Sequence, residues 1–334
     1  MNGRRMSWIW PVSVVLLIVL TGHLLLASVY RAPLALTTPE YLLVEPGDHL
    51  VSISLKLRQA DILSRPDWLI RLADKLLADT KPIIAGEYQL TPGLTLETLL
   101  TKLRAGAVHS RYVTFPEGLT LRQWREKLYR QQGLQLITRD WSEAEIARRI
   151  RGDELSIEGW LYPETYQYQK GHTDLSILSR AHQAMKQIAR QAWQSNPQPT
   201  LDNLEEALIL ASIVERESGR PGDQRKIAQV FLNRLRQGMR LQSDPTVIYG
   251  MGDEFSGDIR REDLLEETAY NTYRINGLPP TPIALAGIES INASLNPLSS
   301  DYLYFVSRGD GTHYFSSTLE EHNDAVNRFQ LESQ

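Results

Sequence analysis

A run of 24 residues without Asp, Glu, Lys or Arg lies near the N-terminus, from Ser7 to Tyr30, and restricts the folds open to this chain. The run is longer than the roughly 20 residues that an α-helix needs to cross a bilayer. Trp8 and Trp10 near its start, and Tyr30 at its end, suit the two membrane interfaces. A cleaved signal peptide is the alternative, but the run exceeds the usual core of about 7 to 15 residues, and no clean A-x-A site follows it. We therefore expect an uncleaved transmembrane anchor over residues 7–30.

The charges on either side of this run indicate its orientation. Arg4 and Arg5 precede it and Arg31 follows it, so the positive-inside rule slightly favours a cytoplasmic N-terminus. Residues 1–6 would then form a cytoplasmic tail, and the rest of the chain would face the periplasm. The absence of cysteine is consistent with an envelope protein, and it excludes disulfides, Cys-ligated zinc and thiol catalysis.

The composition excludes several classes of function. A net charge of -4 with a pI near 6, and no basic stripe, gives no case for nucleic-acid binding. The seven histidines show neither an H-E-x-x-H motif nor a paired ligand spacing, so no metal site is predicted. Because the sequence also lacks a Walker loop, a G-x-S-x-G elbow and a dinucleotide fingerprint, we expect no cofactor. Carboxylate chemistry on a polar and aromatic surface remains, and cleavage of a glycosidic bond is the obvious candidate.

Two similar segments predict small α+β modules. Gly-Leu-Thr-Leu occurs at Gly93 and again at Gly118, each time in the order short strand, glycine turn, Thr N-cap and helix. Residues 31–44, with two prolines and two threonines, are predicted to be a connector. Near the C-terminus, residues 302–316 predict a β-hairpin around Gly309-Asp-Gly311. The fold class that we expect is α+β.

A predicted helix beginning at Leu204 carries a carboxylate on its apolar face. Leu210, Ile213 and Val214 fall at positions i, i+3 and i+4, and the next member of this stripe, at i+7, is Glu217. A carboxylate there is either satisfied by a partner or kept protonated. Both burial and the negative end of the helix dipole raise the pKa of Glu217. That is the environment of a general acid.

A glycosidase usually needs a second carboxylate as a nucleophile or base. Glu215 does not suit this role, because two residues along a helix point to different faces. Asp244 and Glu158 are the remaining candidates, and their spacing singles out neither. Asp244 precedes Pro245, a pair that fits the N-cap and N1 positions of a helix, so capping is its default role.

Two aromatic segments could contact a sugar. Residues 157–166 contain three aromatics, a proline and two carboxylates, and form either a packed loop or a wall on which pyranose rings stack. Residues 269–273 predict an exposed loop. Its Tyr270, Asn271 and Tyr273 could line a saccharide groove, with Asn271 orienting an acetamido group or a hydroxyl, or they could hold the loop by their own hydrogen bonds.

Several motifs in a fixed order carry a family resemblance: Ile-Val-Glu-Arg-Glu-Ser at 213–218, Val-Phe-Leu-Asn-Arg-Leu at 230–235, Gln-Ser-Asp-Pro-Thr-Val-Ile-Tyr-Gly at 242–250, Ala-Tyr-Asn-Thr-Tyr at 269–273 and Gly-Leu-Pro-Pro at 277–280. With residues 158–166 and the hairpin, they resemble the endolytic murein transglycosylase (MltG, or YceG-like) family over nearly the whole chain. The resemblance implies a single-pass protein of the bacterial inner membrane. It also implies a LysM-like module over residues 45–110 and a mixed α/β catalytic domain over residues 111–334, with a catalytic helix and a C-terminal hairpin.

The resemblance further implies a reaction that needs one catalytic carboxylate, Glu217. Such an acid protonates the oxygen between N-acetylmuramic acid and N-acetylglucosamine, then takes the proton of the muramoyl 6-hydroxyl as this group closes on C1. A 1,6-anhydro end forms without water, and the intramolecular nucleophile makes a second carboxylate unnecessary. The candidates for substrate binding are Ser218, Gln242, Asp244, Thr246, Tyr270, Asn271, Tyr273, Glu158 and Tyr166. For Gln242, Asp244 and Thr246 a structural role that shapes the cleft is the competing interpretation.

Three hypotheses follow from the sequence. The first is a membrane-anchored transglycosylase that cuts nascent peptidoglycan strands and ends their elongation, with peptidoglycan synthases as partners that the resemblance suggests. The second is a hydrolytic muramidase, which would use a second carboxylate or an activated water. The third is a non-catalytic scaffold that binds peptidoglycan through its LysM-like module.

Overall fold

The computed structural model describes residues 9–77, 81–153, 155–196, 201–218 and 222–331. The chain comprises two units, Met1–Arg111 and Tyr112–Gln334. The described part combines helices with three two-stranded sheets, so the predicted α+β class is confirmed. The cytoplasmic tail predicted for residues 1–6 lies outside the described residues.

The first unit consists of helices around one antiparallel strand pair. Its elements are α1 (Ile9–Arg31), β1 (Glu40–Val44), α2 (Leu50–Gln59), α3 (Asp67–Leu77), β2 (Gly86–Leu90) and α4 (Leu96–Ala105). In the sheet, Glu40 lies opposite Leu90, and Val44 lies opposite Gly86. Helix α4 begins at the predicted N-cap, where the Thr95 side chain accepts a hydrogen bond from the Thr98 backbone N–H at 3.1 Å.

Helix α1 is apolar enough to cross a membrane. The segment Val12–Arg31 has a mean hydropathy of 2.5 and is almost entirely exposed, which is compatible with a single-pass anchor. Its last turns differ from the rest, because Leu26 packs against the core of the first unit and Tyr30 is buried within it. Helix α1 contacts both α3 and α4 there. The end of helix α1 and the rest of the first unit therefore share one apolar core.

Most of the predicted connector, residues 31–44, belongs to the folded first unit instead. Residues 40–44 form β1, in which Leu42 and Val44 point inward and are buried. Before β1, the Leu34 backbone N–H donates to the Leu94 carbonyl at 2.8 Å. The proline and threonine content indicated a connector, but apolar side chains at alternate positions gain more from burial as a strand.

The second unit is mainly helical. Its elements are β3 (Arg111–Thr114), α5 (Leu121–Tyr129), α6 (Glu143–Arg151), β4 (Thr165–Tyr168), α7 (Asp174–Ser195), α8 (Leu204–Glu217), α9 (Gln224–Arg236), α10 (Asp244–Met251), α11 (Ile288–Leu295), β5 (Tyr304–Ser307), β6 (His313–Ser316) and α12 (Leu319–Val326). Strand β3 pairs with β4, and β5 pairs with β6. The β5–β6 pair is antiparallel, with Tyr304 opposite Ser316, so the predicted C-terminal hairpin is confirmed.

Helix α8 occupies the centre of the second unit. It packs against α7, α9, α10 and α11. The predicted face of Leu210, Ile213 and Val214 is fully buried, and the other residues from Ala207 to Val214 are buried as well. Each buried Leu, Ile or Val side chain stabilises the fold by about 1.5–3 kcal/mol relative to exposure. The burial of these eight residues explains why Glu217, one turn further on, is held at a fixed place.

Residues 283–287, a segment without regular secondary structure, precede α11. The Ile283 backbone N–H donates to the Ser212 hydroxyl of α8 at 3.0 Å, and the Leu285 N–H donates to the Leu119 carbonyl at 2.9 Å. These long-range bonds compete with helix formation over this segment, so α11 begins only at Ile288.

Gly159 fits closely against Pro282, the residue before this segment. Its φ is +78°, and a Cβ at this position would lie 2.3 Å from the Cβ of Pro282. We expect Gly159→Ala to lower the free energy of unfolding by about 2–4 kcal/mol, from left-handed strain plus overpacking.

Gly152→Ala is the matched control. Gly152 also has a positive φ, +85°, but nothing lies within 4 Å of its Cβ position, so only the backbone cost of about 1 kcal/mol applies. Denaturant unfolding followed by tryptophan fluorescence measures both variants, and equal losses would contradict the close contact with Pro282.

Candidate active site

Glu217 is the last residue of α8 and accepts a hydrogen bond from Ser243. The Ser243 hydroxyl donates to Oε1 of Glu217 at 2.5 Å. Ser243 is buried, and its own backbone N–H donates to the Thr272 hydroxyl at 2.9 Å. The donor is therefore fixed from the opposite side, and the carboxyl group is held in one orientation.

The pKa of Glu217 is raised to about 7. Burial is the main cause, because the carboxyl group is surrounded by protein and its charged form loses hydration. The negative charge of Asp244 raises the pKa further, whereas the Ser243 hydrogen bond and the charges of Arg234 and Arg216 lower it. Near neutral pH this carboxyl group is therefore present in both its acid and its base form, as general acid–base chemistry requires.

Arg234 is a buried cation near Glu217. Its Nε donates to the Leu303 carbonyl at 2.7 Å, and its Nη1 donates to the Leu241 carbonyl at 2.5 Å. The guanidinium also lies 5.4 Å from the ring centroid of Tyr304. Arg234 thus connects α9 to the hairpin and contributes positive potential at the carboxyl group.

Glu217 and Arg234 both line a cleft of about 580 Å³, a size typical of small-ligand sites. Its walls come from the C-terminus of α8, from α9, from the start of α10, from the hairpin and from α12. The lining residues are Glu217, Arg234, Gln242, Asp244, Tyr273, Tyr304, Phe305, Val306, Ser307, His313, Leu319, His322, Asn323, Val326 and Gln330. The cleft therefore combines one acid of raised pKa with polar and aromatic walls.

Four of the predicted site residues come together in this cleft: Glu217, Gln242, Asp244 and Tyr273. The Tyr273 hydroxyl donates to Oδ1 of Asp244 at 2.7 Å. The N-cap role expected for Asp244 is wrong, because Asp244 is the first residue of α10 and Ser243 is its N-cap. Its carboxylate instead faces the cleft and holds the tyrosine.

Glu158 and Tyr270 line a separate cavity of about 500 Å³. Glu158 is buried, accepts a hydrogen bond from the Leu121 backbone N–H at 3.1 Å, and has its pKa raised to about 8 by burial. The Tyr270 and Thr281 hydroxyls share a hydrogen bond of 2.8 Å. The structure therefore does not bring these two predicted residues into the Glu217 cleft.

Two other candidates, Thr246 and Asn271, serve the fold. Thr246 is buried and donates to the Ser243 carbonyl at 2.6 Å. Asn271 is buried, and its Nδ2 donates to the backbone carbonyls of Asp263, Leu264 and Glu266. The alternative that the sequence left open for Asn271, a loop held by its own side chain, is the one observed. Thr246 acts on the cleft only by supporting Ser243.

Tyr166 and Ser218 complete the predicted set. Tyr166 is buried beside Phe115 and donates its hydroxyl proton to the Tyr162 carbonyl at 2.6 Å. It is a core residue, which agrees with the packed loop, one of the two alternatives for residues 157–166. Ser218 follows α8, and its backbone N–H donates to the Val214 carbonyl at 3.0 Å.

The sequence did not point to Ser243, Arg234 or His313. Ser243 lies within a quoted motif, but only the fold places it next to Glu217. Arg234 follows Val230 and Phe231 at i+4 and i+3 on an apolar helix face, so the reasoning that found Glu217 could have found it. His313 lines the cleft, and its Nδ1 lies 3.2 Å from Oδ2 of Asp223. The two residues are 90 positions apart, and no sequence pattern relates them.

Across the described ranges, no three His, Asp or Glu side chains form a group that could hold a metal ion. Asp244 is the other carboxylate that lines the Glu217 cleft. The chemistry that this arrangement supports is proton transfer by one or two carboxyl groups.

The protein has an α+β fold and a cleft that contains a carboxyl group of raised pKa, and comparison with known proteins gives its family. A sequence model of the YceG-like family matches residues 42–328. The chain belongs to the YceG-like family, which confirms the resemblance seen in its motifs.

Individual relatives agree with this assignment. A Bacillus subtilis protein named endolytic murein transglycosylase is 33% identical, over 73% of this chain and 72% of that protein. A Streptococcus pneumoniae protein of the same name is 28% identical over 72% of this chain, which spans 50% of that relative. The crystal structure of a YceG-like protein from Listeria monocytogenes superposes with a TM-score of 0.55 at 31% identity, covering 86% of this chain and 99% of that one.

The two neighbours of Glu217 should move its pKa in opposite directions. We expect Ser243→Ala to raise it, because the hydrogen bond stabilises the carboxylate, and Asp244→Asn to lower it, because a negative charge is removed. The carbonyl stretch of the protonated carboxyl group in infrared titration measures both shifts, once it is assigned by its loss in Glu217→Gln. Shifts of the same sign in the two variants would contradict this electrostatic arrangement.

Proposed function

We propose that this protein is a membrane-anchored endolytic lytic transglycosylase that cleaves the bond between N-acetylmuramic acid and N-acetylglucosamine within peptidoglycan strands. The single observation that carries the proposal is Glu217, whose pKa of about 7 keeps a proton available in a polar and aromatic cleft. The relatives named endolytic murein transglycosylase support the same activity. They favour an enzyme over the non-catalytic scaffold.

One carboxyl group can complete the proposed reaction. Protonated Glu217 donates its proton to the glycosidic oxygen as the bond from that oxygen to muramoyl C1 breaks. The resulting carboxylate then takes the proton of the muramoyl 6-hydroxyl, and a bond from O6 to C1 forms. The products are a 1,6-anhydro end and a free 4-hydroxyl, no water is consumed, and Glu217 returns to its acid form.

The surroundings of Glu217 suit both halves of this sequence. Ser243 fixes the carboxyl orientation in the acid form and stabilises its charge in the base form. The aromatic rings of Tyr273 and Tyr304 offer faces and hydroxyls for sugar contacts, and Gln242 offers an amide for hydroxyl or acetamido groups. We assign substrate contacts to these cleft residues.

A hydrolytic muramidase is the second candidate, and Asp244 is the observation that favours it. Asp244 lines the same cleft and could activate a water as general base. Mass spectrometry of the reducing ends separates the two reactions. Ends that lack one water support the transglycosylase, and hydrated ends would establish the muramidase.

The cellular setting is also part of the proposal. We place α1 across the inner membrane and the catalytic unit in the periplasm, where nascent strands would be cut and their elongation ended. Residues 45–110 would form a LysM-like glycan-binding module and residues 111–334 the catalytic domain. Peptidoglycan synthases are the proposed partners, because they produce the strands that serve as substrate.

Glu217→Gln tests the catalytic assignment. We expect cleavage of uncross-linked glycan strands to fall by about 100- to 10,000-fold, because the amide donates no proton to the leaving oxygen. Binding of the strands, measured by co-sedimentation, should stay within about threefold, since the two side chains have nearly the same shape.

Glu215→Gln is the matched control for this loss. Glu215 lies on the same helix, but its Oε2 accepts a hydrogen bond from the Gly287 backbone N–H at 3.1 Å, and a glutamine oxygen can still accept this bond. The control should keep its activity. Full activity in Glu217→Gln would refute the assignment of the acid.

The pH dependence follows from the raised pKa of Glu217. The first step needs the protonated acid, whose fraction falls as pH rises through a pKa of about 7. We expect kcat/KM to decrease about tenfold per pH unit above that value. In Asp244→Asn this decrease should begin at lower pH, and a basic limb that does not move would show that another group controls the rate.

A further inference from the structure

Helix α3 of the first unit exposes an apolar stripe. Trp68, Leu72 and Leu76 occur at i, i+4 and i+8 and are 66%, 39% and 59% exposed. Ile70 and Ala73, on the opposite face of the same helix, are fully buried in the core. Single exposed leucines are ordinary on protein surfaces, but an aligned tryptophan and two leucines form a patch that calls for a partner.

The exposed charge beside this stripe is positive. Arg71 and Lys75 are exposed, and each lies three residues after a member of the stripe, so the cations border it along one side. The acidic residues Asp67 and Asp74 are instead paired within the unit. Asp67 contacts Arg58 at 2.6 Å, and Asp74 contacts Arg104 at 2.8 Å. A stripe of Trp and Leu bordered by Arg and Lys is typical of helices that lie in a membrane interface.

The attachment of α1 positions this stripe near the bilayer. A helix needs roughly 20 residues to cross the hydrocarbon layer, so an apolar run that starts at Ser7 must stay in the membrane as far as about Leu26. Leu26 and Tyr30 already belong to the core of the first unit, and α1 packs directly against α3. The unit therefore begins at the membrane surface without an intervening connector.

We propose that α3 docks on the lipid surface from which α1 emerges, with Trp68, Leu72 and Leu76 in the acyl boundary and with Arg71 and Lys75 at anionic headgroups. The inference rests on the proposed anchoring by α1. Helix α1 carries exposed apolar side chains as far as Leu25 and packs against α3, so the stripe belongs to a helix held next to the end of the membrane segment. The partner is lipid, in a membrane that contains anionic headgroups.

The absence of cysteine allows a direct test in the full-length protein. A single cysteine replaces Leu72 or Leu76 and is labelled with an environment-sensitive fluorophore. Each labelled protein is reconstituted in phosphatidylcholine vesicles that contain about a quarter phosphatidylglycerol and a lipid with a nitroxide quencher near its headgroup. We expect both labels to lose more than about half of their emission to the quencher. Leu17→Cys, within α1, reports insertion of the anchor through a deeper nitroxide.

Leu55→Cys is the matched control. Leu55 is 50% exposed, close to the value for Leu76, but it lies on α2 rather than on a helix that packs against the end of α1. Its label should lose less than about a tenth of its emission. Quenching at Leu55 equal to that at Leu76 would overturn the assignment to α3.

The remaining outcomes separate this inference from the proposed function. Quenching at Leu17 without quenching at Leu72 and Leu76 overturns the docking and leaves the stripe to a protein partner. Absence of quenching at Leu17 overturns both the proposed anchoring by α1 and the proposed docking of α3. Far-UV circular dichroism of the same samples shows that each variant is folded, and glycan cleavage by them then tests the transglycosylase independently of both quenching results.

Discussion

The hydrogen bond from Ser243 to Glu217 joins the parts of the second unit that make up the cleft. It connects the end of α8 to the start of α10, and the Thr272 hydroxyl holds Ser243 from the following loop. Thr246 adds a bond to the Ser243 carbonyl. Because Ser243, Thr246 and Thr272 are buried, loss of one of them leaves an unsatisfied partner that costs about 1–3 kcal/mol. The orientation of the acid and the stability of the unit thus depend on the same bonds.

The parts of the fold that depend on local sequence could be predicted. Thr95 capped its helix as expected, because a capping hydrogen bond spans only three residues. The hairpin formed around its glycine turn, and α8 formed with Glu217 on the apolar face. Periodicity reports which side of an element is buried, so it also revealed the residue that breaks the apolar pattern.

The other site residues depend on contacts that sequence spacing does not contain. Ser243 is 26 residues from Glu217, and no periodicity relates the two. Asn271 and Tyr273 belong to one motif, yet the first is buried within its loop and the second lines the cleft. A polar residue that holds a loop together and one that contacts a ligand can be of the same residue type, and only the burial of the side chain in the folded protein distinguishes the two roles.

The burial of Tyr30 has a consequence for whether helix α1 can be removed. A signal peptide can be removed because the mature protein does not need it, whereas here the end of α1 fills part of the first unit's core. A peptidase that cut after this helix would open an apolar hole and destabilise the unit by about 3–5 kcal/mol for the aromatic side chain alone. The stability of the first unit therefore depends on retention of α1.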